Sequence, residues 1–469
     1  MPYKEFGFVR FYVDDISNIS KPITVTIRTC DVDNPNKFTD EDITIDEGNK
    51  LYAYNIPRGK GLNVITSDKV PLKNILVVSR LKYTRGIMVP RNTQNISYTD
   101  CDTSSVTSLN GTFSQCTKLK TLDISCFDTS NATDMNQFLT TCNSLESVDV
   151  SKFDTSKVTN MTSMFEGCVK LKNIDVDNWN TSNVTSMRDM FLHCSGLTSL
   201  DVSNFNTSEV TTMTRMFRFC SGLTSLDVSK WNVGKVTSMY GLFNRCSSIT
   251  SLDVSGFDTS KVTNMGSMLN LANDKITLLD VSNFKTSECT NVAYMFGGCS
   301  GITSLNVSRF DTSKVVAMQA MFTGCCNLKE LNLSNFDTSN VKDMWYMFHI
   351  CKSLETLNLN GWNTSSVQTM NDMFDSCAGL KTLYLRGWNV MNVTRFDKMF
   401  VHCESLVTLD LSGWKININN HDLTYGDMFN VCKSLKTVKM IGCDENTVNF
   451  IKARLRDVKI SDDIVVTTE

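Results

Sequence analysis

The stretch FDTSKVTNMTSMFEGC, residues 153 to 168, decides the fold because it recurs with small changes from about residue 96 to residue 440. Its last residue, Cys168, belongs to a column of cysteines spaced by 26 residues, interrupted once by Ala272 and one inserted residue. The column consists of Cys116, Cys142, Cys168, Cys194, Cys220, Cys246, Cys299, Cys325, Cys351, Cys377, Cys403 and, after a longer last unit, Cys432. Repetition at a fixed period indicates a repeat protein, here of about thirteen units, whose stacked units bury one continuous core.

The residues before each column cysteine predict an α-helix. Apolar side chains fall three, four, seven and ten residues before Cys168, which is the spacing of one helix face. These side chains are Phe165, Met164, Met161 and Val158. Thr155 or Ser156 would cap the first free amides. The sequence therefore predicts a helix from about residue 156 to residue 168 and in the same place in the other units.

The residues after each cysteine predict a short strand, because Leu197, Leu200 and Val202 of SGLTSLDVSNF show period-two alternation. Parallel strands lie about 4.8 Å apart, whereas packed helices need about 8 to 10 Å, so unequal spacing should bend the stack. The predicted fold class is an α/β solenoid: a curved leucine-rich-repeat stack of about thirteen 26-residue strand-turn-helix units, preceded by a small all-β domain.

Three segments are expected. Residues 1–92 contain strand-like stretches such as GFVRFYV and ITVTIRT between turn residues, which predicts a β-sandwich-like domain that docks on the first coil and caps it. Residues 93–443 form the solenoid. Residues 444–469 contain the amphipathic NTVNFIKARLRDV and a strand-like end, and should cap the last coil.

Two motifs carry a resemblance to a known family. LTSLDVSNF, residues 197 to 205, resembles the LxxLxLxxN core of leucine-rich repeats, with an aromatic residue in place of the usual asparagine. The full unit, FDTSKVTNMTSMFEGCxxLxxLDVSxF, is similar to the BspA-like leucine-rich repeats of bacterial surface proteins, and it also resembles proteins encoded by phages of gut bacteria. The resemblance covers roughly residues 96 to 440 and implies a non-catalytic binding protein used for adhesion at a surface.

Composition argues against nucleic acid and membrane partners. The 469 residues carry a formal net charge of −3 and no run rich in Lys or Arg, so nothing favours nucleic acid electrostatically. No stretch approaches the roughly 18 apolar residues of a membrane span, so no membrane insertion is expected. The first residues, MPYKEFGFVRFYVDD, lack the apolar region of a signal peptide, which predicts a chain that folds in the cytoplasm.

The cysteine column is expected to be structural. No CxxC pair suggests a metal site, and cysteines on packed helices would stand about 8 to 10 Å apart, too far for a disulfide. His193, His349 and His402 lie one or two residues before column cysteines, but adjacent helix residues point in different directions and do not form a catalytic dyad. No phosphate loop, HExxH or GxSxG motif is present. We therefore expect no enzyme and no cofactor.

The candidate binding residues are the outward positions of the predicted strands. The row comprises Asp123, Asp149, Asp175, Asp201, Asp227, Asp253, Asp280, Asn306, Asn332, Asn358 and Tyr384, with Arg386 beside the last. Two interpretations stay open: a solvated ladder whose carboxylates accept hydrogen bonds from flanking Ser and Thr, or an acidic stripe that binds a cationic partner or a cation such as calcium. The change from Asp to Asn and then Tyr384 is a gradient that a binding surface would show.

The sequence as a whole predicts a non-enzymatic recognition or structural protein. The leading hypothesis is a phage virion component, a fibre or a capsid- or tail-associated protein, joined to the particle through its N-terminal β domain and located in the virion. Its partner would be a protein or a surface glycan, together with other virion proteins. The alternatives are a BspA-type adhesin on the bacterial cell surface and an intracellular protein-binding scaffold.

Overall fold

The structure is a computed structural model that describes residues 8–13, 16, 17, 19, 23–31, 34–48, 50–57, 60–67, 72–78, 93–98, 103, 104 and 106–468. Side chains are described for these residues except 30, 31, 34–36, 60–64, 66, 67 and 72–78. The chain divides into two compact units, Met1–Asp227 and Val228–Glu469, which are described separately as unit 1 and unit 2.

Unit 1 begins with two sheets. Their strands are β1 (Phe8–Val13), β2 (Ile23–Asp31), β3 (Asn34–Ile45), β4 (Lys50–Asn55), β5 (Lys60–Ser67) and β6 (Leu72–Val78), followed by β7 (Asn95–Tyr98), β8 (Thr121–Asp123) and β9 (Ser147–Val148). One sheet has the order β3-β2-β5 and is antiparallel. The other has the order β4-β1-β6-β7-β8-β9, antiparallel up to β6 and parallel from there. The sheet that starts in the N-terminal segment therefore continues into the strands of the first repeats.

Unit 2 ends with a parallel sheet and a helix. The strands are β10 (Thr356–Asn358), β11 (Thr382–Tyr384), β12 (Thr408–Asp410), β13 (Thr437–Lys439) and β14 (Val465–Val466), in that order across the sheet. Helix α1 (Glu445–Asp457) is capped by Asp444, whose side chain accepts the Thr447 amide, and it buries Ile451 and Leu455. Because β14 pairs with β13, the last repeat strand is not left as an open edge.

The helices predicted within the repeats are wrong. Among the described residues the repeats contain turns and short strands, so each coil belongs to a β-solenoid and not to an α/β stack. Ser163 (φ 53°) and Gly167 (φ 75°) have positive φ angles, which an α-helix of L-residues excludes. The segment from residue 158 to residue 168, and its equivalents in other coils, is called the turn segment below.

Alternate amides of the turn segment bind two different sets of carbonyl groups. The N–H groups of four alternate residues donate to the following coil over 2.7–3.1 Å, namely Met161 to Ser186, Ser163 to Arg188, Phe165 to Met190 and Gly167 to Leu192. Of the amides between them, Met164 and Glu166 donate to the carbonyl three residues earlier, and Thr162 donates to Asn160 Oδ1. This pairing satisfies the backbone as completely as a helix would, and it also joins each coil to its neighbour.

The same hydrogen bonds remove the physical reason for the predicted curvature. Helices at the rear would have held neighbouring coils about 8 to 10 Å apart, but coils joined by backbone hydrogen bonds approach to about 4.8 Å. In the coils between β9 and β10, the strand side is joined more loosely than the turn segments. There the extended segments are connected by hydrogen bonds such as Thr198 N–H to the Lys172 carbonyl (3.2 Å) in unit 1 and Lys329 N–H to the Thr303 carbonyl (3.2 Å) in unit 2.

The predicted cap residues have another role. Thr155 and the threonines at equivalent positions are buried. Instead of capping a helix, a hydroxyl donates to a backbone carbonyl of the next coil at Thr103, Thr129, Thr155, Thr181, Thr259, Thr286, Thr312, Thr338 and Thr364. Thr286 shows the full arrangement, because its hydroxyl donates to the Asp311 carbonyl (2.8 Å) and accepts the Asp311 amide (2.8 Å). The threonine column therefore fixes the register between coils.

Stacked rings fill the core. Phe296, Phe322 and Phe348 are fully buried and stack at centroid distances of 5.8 and 5.7 Å. A second column stacks tryptophans in unit 2, with Trp388 between Trp362 (6.0 Å) and Trp414 (6.1 Å). Each stacked ring contacts the coils on both sides, so the core is continuous within a unit.

Candidate functional site

The outward residues of the strand segments form a surface that we call the strand face. Its central row is the predicted one, and the aspartates and asparagines from Asp123 to Asn358 are exposed, whereas Tyr384 is partly buried and Asp410 is buried. Three depressions lie on this face. Their volumes are about 490 Å³ around Asp123 and Asp149, about 640 Å³ around Asp175, Asp201 and Asp227, and about 370 Å³ around Asn332 and Asn358.

Most side chains of the row close a turn. Asp149 Oδ1 accepts the amide of Ser151 (3.0 Å) and also its hydroxyl (2.7 Å). The same contact to the amide two residues later is made by Asp123, Asp175, Asp201, Asp253, Asp280, Asn306, Asn332, Asn358 and Asp410. Asp and Asn side chains commonly bond their own backbone in this way, which ends the strand.

These contacts also set the acidity of the row. Hydrogen bonds from Ser151 lower the pKa of Asp149, and the pKa values of Asp123 and Asp280 are lowered mainly by bonds from Ser125 and Ser282. A carboxylate that accepts hydrogen bonds is favoured in its charged form. The three side chains therefore keep their negative charge at neutral pH and lose it only in acid, below the usual range of an aspartate.

The change from Asp to Asn along the row has a structural explanation. The turn needs only the Oδ1 acceptor, which both side chains provide, so Asn306, Asn332 and Asn358 close the same turn without a charge. Tyr384 has no such acceptor, and the amide of Arg386 donates to Asn360 Oδ1 of the preceding coil instead (2.8 Å). The change from Asp to Asn and Tyr384 along the row is therefore compatible with an unchanged fold, and it determines only which coils carry a negative charge on this face.

The cysteine column is buried and reduced, and its thiols have a local partner. Cys194 Sγ donates to the Phe165 carbonyl of the preceding coil (3.0 Å), and Cys377 Sγ donates in the same way to the Phe348 carbonyl (3.0 Å). The argument from helix spacing was wrong because the described residues of the repeats form turns and short strands in place of the expected helices, but the column cysteines are indeed unbridged. Outside the column, Cys126 forms a disulfide.

The adjacent pair Cys325 and Cys326 tests this assignment. Cys325 is fully buried, whereas Cys326 is partly exposed, and burial raises the pKa of other column thiols such as Cys168 and Cys377 to about 12. At pH 8 a thiol with a pKa of about 12 holds roughly a thousandfold less thiolate than one with its ordinary value.

We expect iodoacetamide to alkylate Cys326 well before any column cysteine in the folded protein, as measured by peptide mass spectrometry over time. The same reaction in urea provides the control, because unfolding should make both residues of the pair react at similar rates. Equal labelling of Cys325 and Cys326 in the folded state would show that the column is accessible.

Other polar clusters lie on the turn face, which we define as the residues one, two, five, six and eight positions before the column cysteines, most of which are at least partly exposed. In unit 1, Asp189 is nearly buried and accepts two hydrogen bonds from Arg215 (2.8 Å each), with Arg188 at 3.2 Å. In unit 2, Asp375 lies between His349 (3.6 Å) and His402 (3.3 Å). The Thr323 hydroxyl lies 3.3 Å from His349 Nδ1.

Sequence reasoning missed the turn face because its residues differ from unit to unit. The position five residues before the cysteine holds Ser163, Asp189 and Arg215 in successive coils, whereas strand-face positions repeat Asp, Asn, Ser and Thr. Unit-to-unit variation at a partly exposed position is the signal that was available. Within the described part of the chain, no group of three His, Cys, Asp or Glu residues is arranged to hold a metal ion, and no helix is long and apolar enough to cross a membrane.

The repeats match a family model described as "Mycoplasma protein of unknown function, DUF285". The matched segments are residues 87–199, 169–277, 248–355, 272–380 and 327–440. The chain belongs to the DUF285 family. This match shows that the chain contains DUF285 repeats, and it does not show the narrower BspA-like assignment. A DUF285 solenoid fits a non-enzymatic, protein-binding role.

Other comparisons add little for this DUF285 protein. No curated protein matches the chain. One similar solved structure is described as the Toll–Spätzle complex, a molecular hub in Drosophila development and innate immunity. The similarity has 12% identity and a TM-score of 0.23, and it covers 81% of this chain but 62% of that one, so it carries no argument about fold or partners.

Proposed function

We propose that the chain is a non-catalytic attachment protein that binds a protein partner through its strand face. The observation that supports this proposal is the position of the three depressions, which lie on the strand face and are lined by Asp, Asn, Ser and Thr side chains. Concave surfaces with a few convergent polar groups are the usual places for binding.

The charge of the strand face suggests the chemistry of the partner. In unit 1 the row consists of five aspartates, and the largest depression is lined by Asp175, Asp201 and Asp227. A row of like charges attracts a surface of opposite sign and speeds its association. The proposed partner of this part of the face is therefore a cationic protein surface.

The first proposed location is a phage virion, with the N-terminal segment as the attachment point, in line with the resemblance to phage-encoded repeats. Display on a bacterial cell surface is the second candidate, and the disulfide at Cys126 favours it because disulfides persist in oxidising surroundings. Mass spectrometry of purified phage particles and of peptides shaved from intact cells separates the two. Absence of the chain from both samples would contradict an attachment role.

The strand face can be tested by replacing Asp175, Asp201 and Asp227 with asparagine. Because asparagine keeps the Oδ1 acceptor, which closes the turn at Asp175 and Asp201, the variant should fold with an unchanged melting temperature while losing three charges. We expect labelled full-length variant to bind the particles or cells that carry the partner more weakly than wild type at low ionic strength, with the difference shrinking at high salt.

A matched control places the same three substitutions elsewhere. Asp128, Asp134 and Asp154 are exposed or partly exposed aspartates of unit 1 outside the lining of the largest depression. Their replacement by asparagine changes net charge equally and should leave binding close to wild type. If both triple variants bind alike, the strand face is only a solvated ladder.

A further inference from the structure

Trp345 stands apart from the other five tryptophans of the chain. The others, Trp179, Trp231, Trp362, Trp388 and Trp414, are at most 4% exposed and occupy the aromatic column. Trp345 lies on the turn face of unit 2 and is only partly buried. Equivalent positions in other coils hold residues as small as Gly266 and Ala293, so packing of the coil does not require a large ring there.

Trp345 is the centre of an aromatic cluster. Its ring meets Tyr294 at 5.7 Å and Tyr346 at 5.4 Å, both edge to face, and Tyr346 in turn meets His349 at 4.7 Å. All four residues are partly exposed. Edge-to-face contacts of this kind hold the rings in fixed orientations, so the cluster is a rigid aromatic patch.

The patch spans three coils because the middle coil contributes a small residue. Tyr294 belongs to the coil that ends at Cys299, and Trp345 belongs to the coil two further along. Between them Ala320 is fully buried, and its amide donates to the Trp345 carbonyl (2.9 Å). With only a methyl group in that position, the two rings reach each other across the intervening coil.

Unpaired and charged polar groups border the rings. The same middle coil places Gln319 at the position equivalent to Trp345, and its Oε1 atom is buried without a hydrogen-bond partner. On the other side lies Asp375, beside His349 (3.6 Å). An unsatisfied buried acceptor is costly, so a donor that reaches Gln319 Oε1 when a ligand binds and the side chain turns toward it would be stabilising.

We propose that this patch, formed by Tyr294, Gln319, Trp345, Tyr346, His349 and Asp375, binds an uncharged glycan. The ring faces carry partial negative charge and attract the polarised C–H groups of a sugar ring. Hydroxyl groups of the sugar supply the donors that Gln319 Oε1 and the Asp375 carboxylate accept. Burial and neighbouring groups raise the pKa values of Tyr294 and Tyr346, so both phenols remain protonated donors at neutral pH.

The coil repeat fits a chain of sugars better than a single one. Coils joined by backbone hydrogen bonds rise by about 4.8 Å, close to the length of one sugar residue in an extended polysaccharide. Aromatic residues recur on alternate coils at equivalent or adjacent positions, since Tyr240 precedes Tyr294 and Tyr294 precedes Trp345. A glycan lying along the stack would therefore meet aromatic rings at successive points.

The surroundings argue against other ligand classes. The centres of protein–protein interfaces are depleted in charged residues, whereas Asp372 and Asp375 lie next to these rings. The same carboxylates disfavour an acidic polysaccharide by like-charge repulsion.

The proposal goes beyond the proposed attachment function, because it names the ligand class of a second face. Full-length wild type, Trp345→Ala and Trp345→Phe are titrated with cellohexaose, chitohexaose and mannohexaose by isothermal calorimetry, with a heparin hexasaccharide as the acidic probe. We expect wild type to bind at least one neutral hexasaccharide, Trp345→Ala to bind it roughly tenfold or more weakly, and Trp345→Phe to retain part of the affinity.

Two further variants keep the result interpretable. Tyr425→Ala removes an exposed ring outside the patch and should bind the glycan like wild type, and melting temperatures show that each variant is folded. The triple strand-face variant should also bind the glycan normally, so failure of one site is distinguishable from failure of the other. The proposal is overturned if no neutral hexasaccharide binds wild type, if Trp345→Ala binds equally well, or if the mutation weakens only a protein partner.

Discussion

Replacing Phe322 with alanine is expected to lower the free energy of unfolding of unit 2 by about 3 to 5 kcal/mol. Phe322 is fully buried and stacks on Phe296 at 5.8 Å and on Phe348 at 5.7 Å. Truncation leaves a cavity and also separates two halves of the ring column. Since each coil is stabilised chiefly by its neighbours, a break at one coil weakens the coupling of all coils on either side.

Urea denaturation and hydrogen exchange measure the two parts of this effect. The midpoint should fall, and exchange should become faster at amides that join the affected coils, such as Phe322 N–H bound to the Met347 carbonyl. Val316→Ala is the control, because Val316 is 41% exposed and its truncation should change stability by less than about 0.5 kcal/mol. A loss below about 1 kcal/mol for Phe322→Ala would contradict a continuous, tightly packed ring column.

Replacing Asp189 with alanine is expected to destabilise unit 1 by about 2 to 3 kcal/mol. The Asp189 side chain is only 6% exposed and accepts two hydrogen bonds from Arg215, with Arg188 nearby. Its removal leaves two guanidinium groups without their carboxylate. Partial exposure of both arginines to water keeps the loss below that of a fully buried ion pair. Thermal unfolding followed by circular dichroism measures the change.

The variant Asp189→Asn measures the contribution of the charge to stability without a change in backbone conformation. Asp189 has a φ angle of 57°, a region in which Asn is as well tolerated as Asp, so asparagine removes the charge without adding strain. We expect an intermediate loss for this variant and little change for Asp177→Ala, an exposed acid in the same unit. If asparagine and alanine cost the same and high salt has no influence, the ion pair does not stabilise the fold.

The sequence predicts which residues of each coil are buried better than it predicts the backbone conformation of the coil. The buried columns were assigned from spacing alone, and Met161, Met164, Phe165 and Cys168 are all fully buried. The helix was wrong because a series of tight turns places apolar residues at almost the same intervals as a helix. Only backbone conformation distinguishes the two, and the positive φ of Ser163, a residue with no strong preference for it, leaves no mark in the sequence.

The candidate site was predicted in part. The strand-face row was found because one exposed position repeats as Asp or Asn, but its role in closing turns depends on contacts such as Asp149 with Ser151. The patch around Trp345 was missed because repeat analysis searches for what coils share, and this patch is built from what they do not. Contact between Tyr294 and Trp345 also depends on Ala320, a residue that attracts no attention by itself.

On the strand face, the ability of a turn to fold does not depend on whether its side chain is charged. Codons for aspartate and asparagine differ by a single base, and either residue closes the turn at this position, as Asp280 and Asn306 do in successive coils. A lineage can therefore rewrite the charge of this surface one coil at a time without passing through a misfolded intermediate. A protein exposed to a changing partner would gain a route to new specificity that leaves its scaffold untouched.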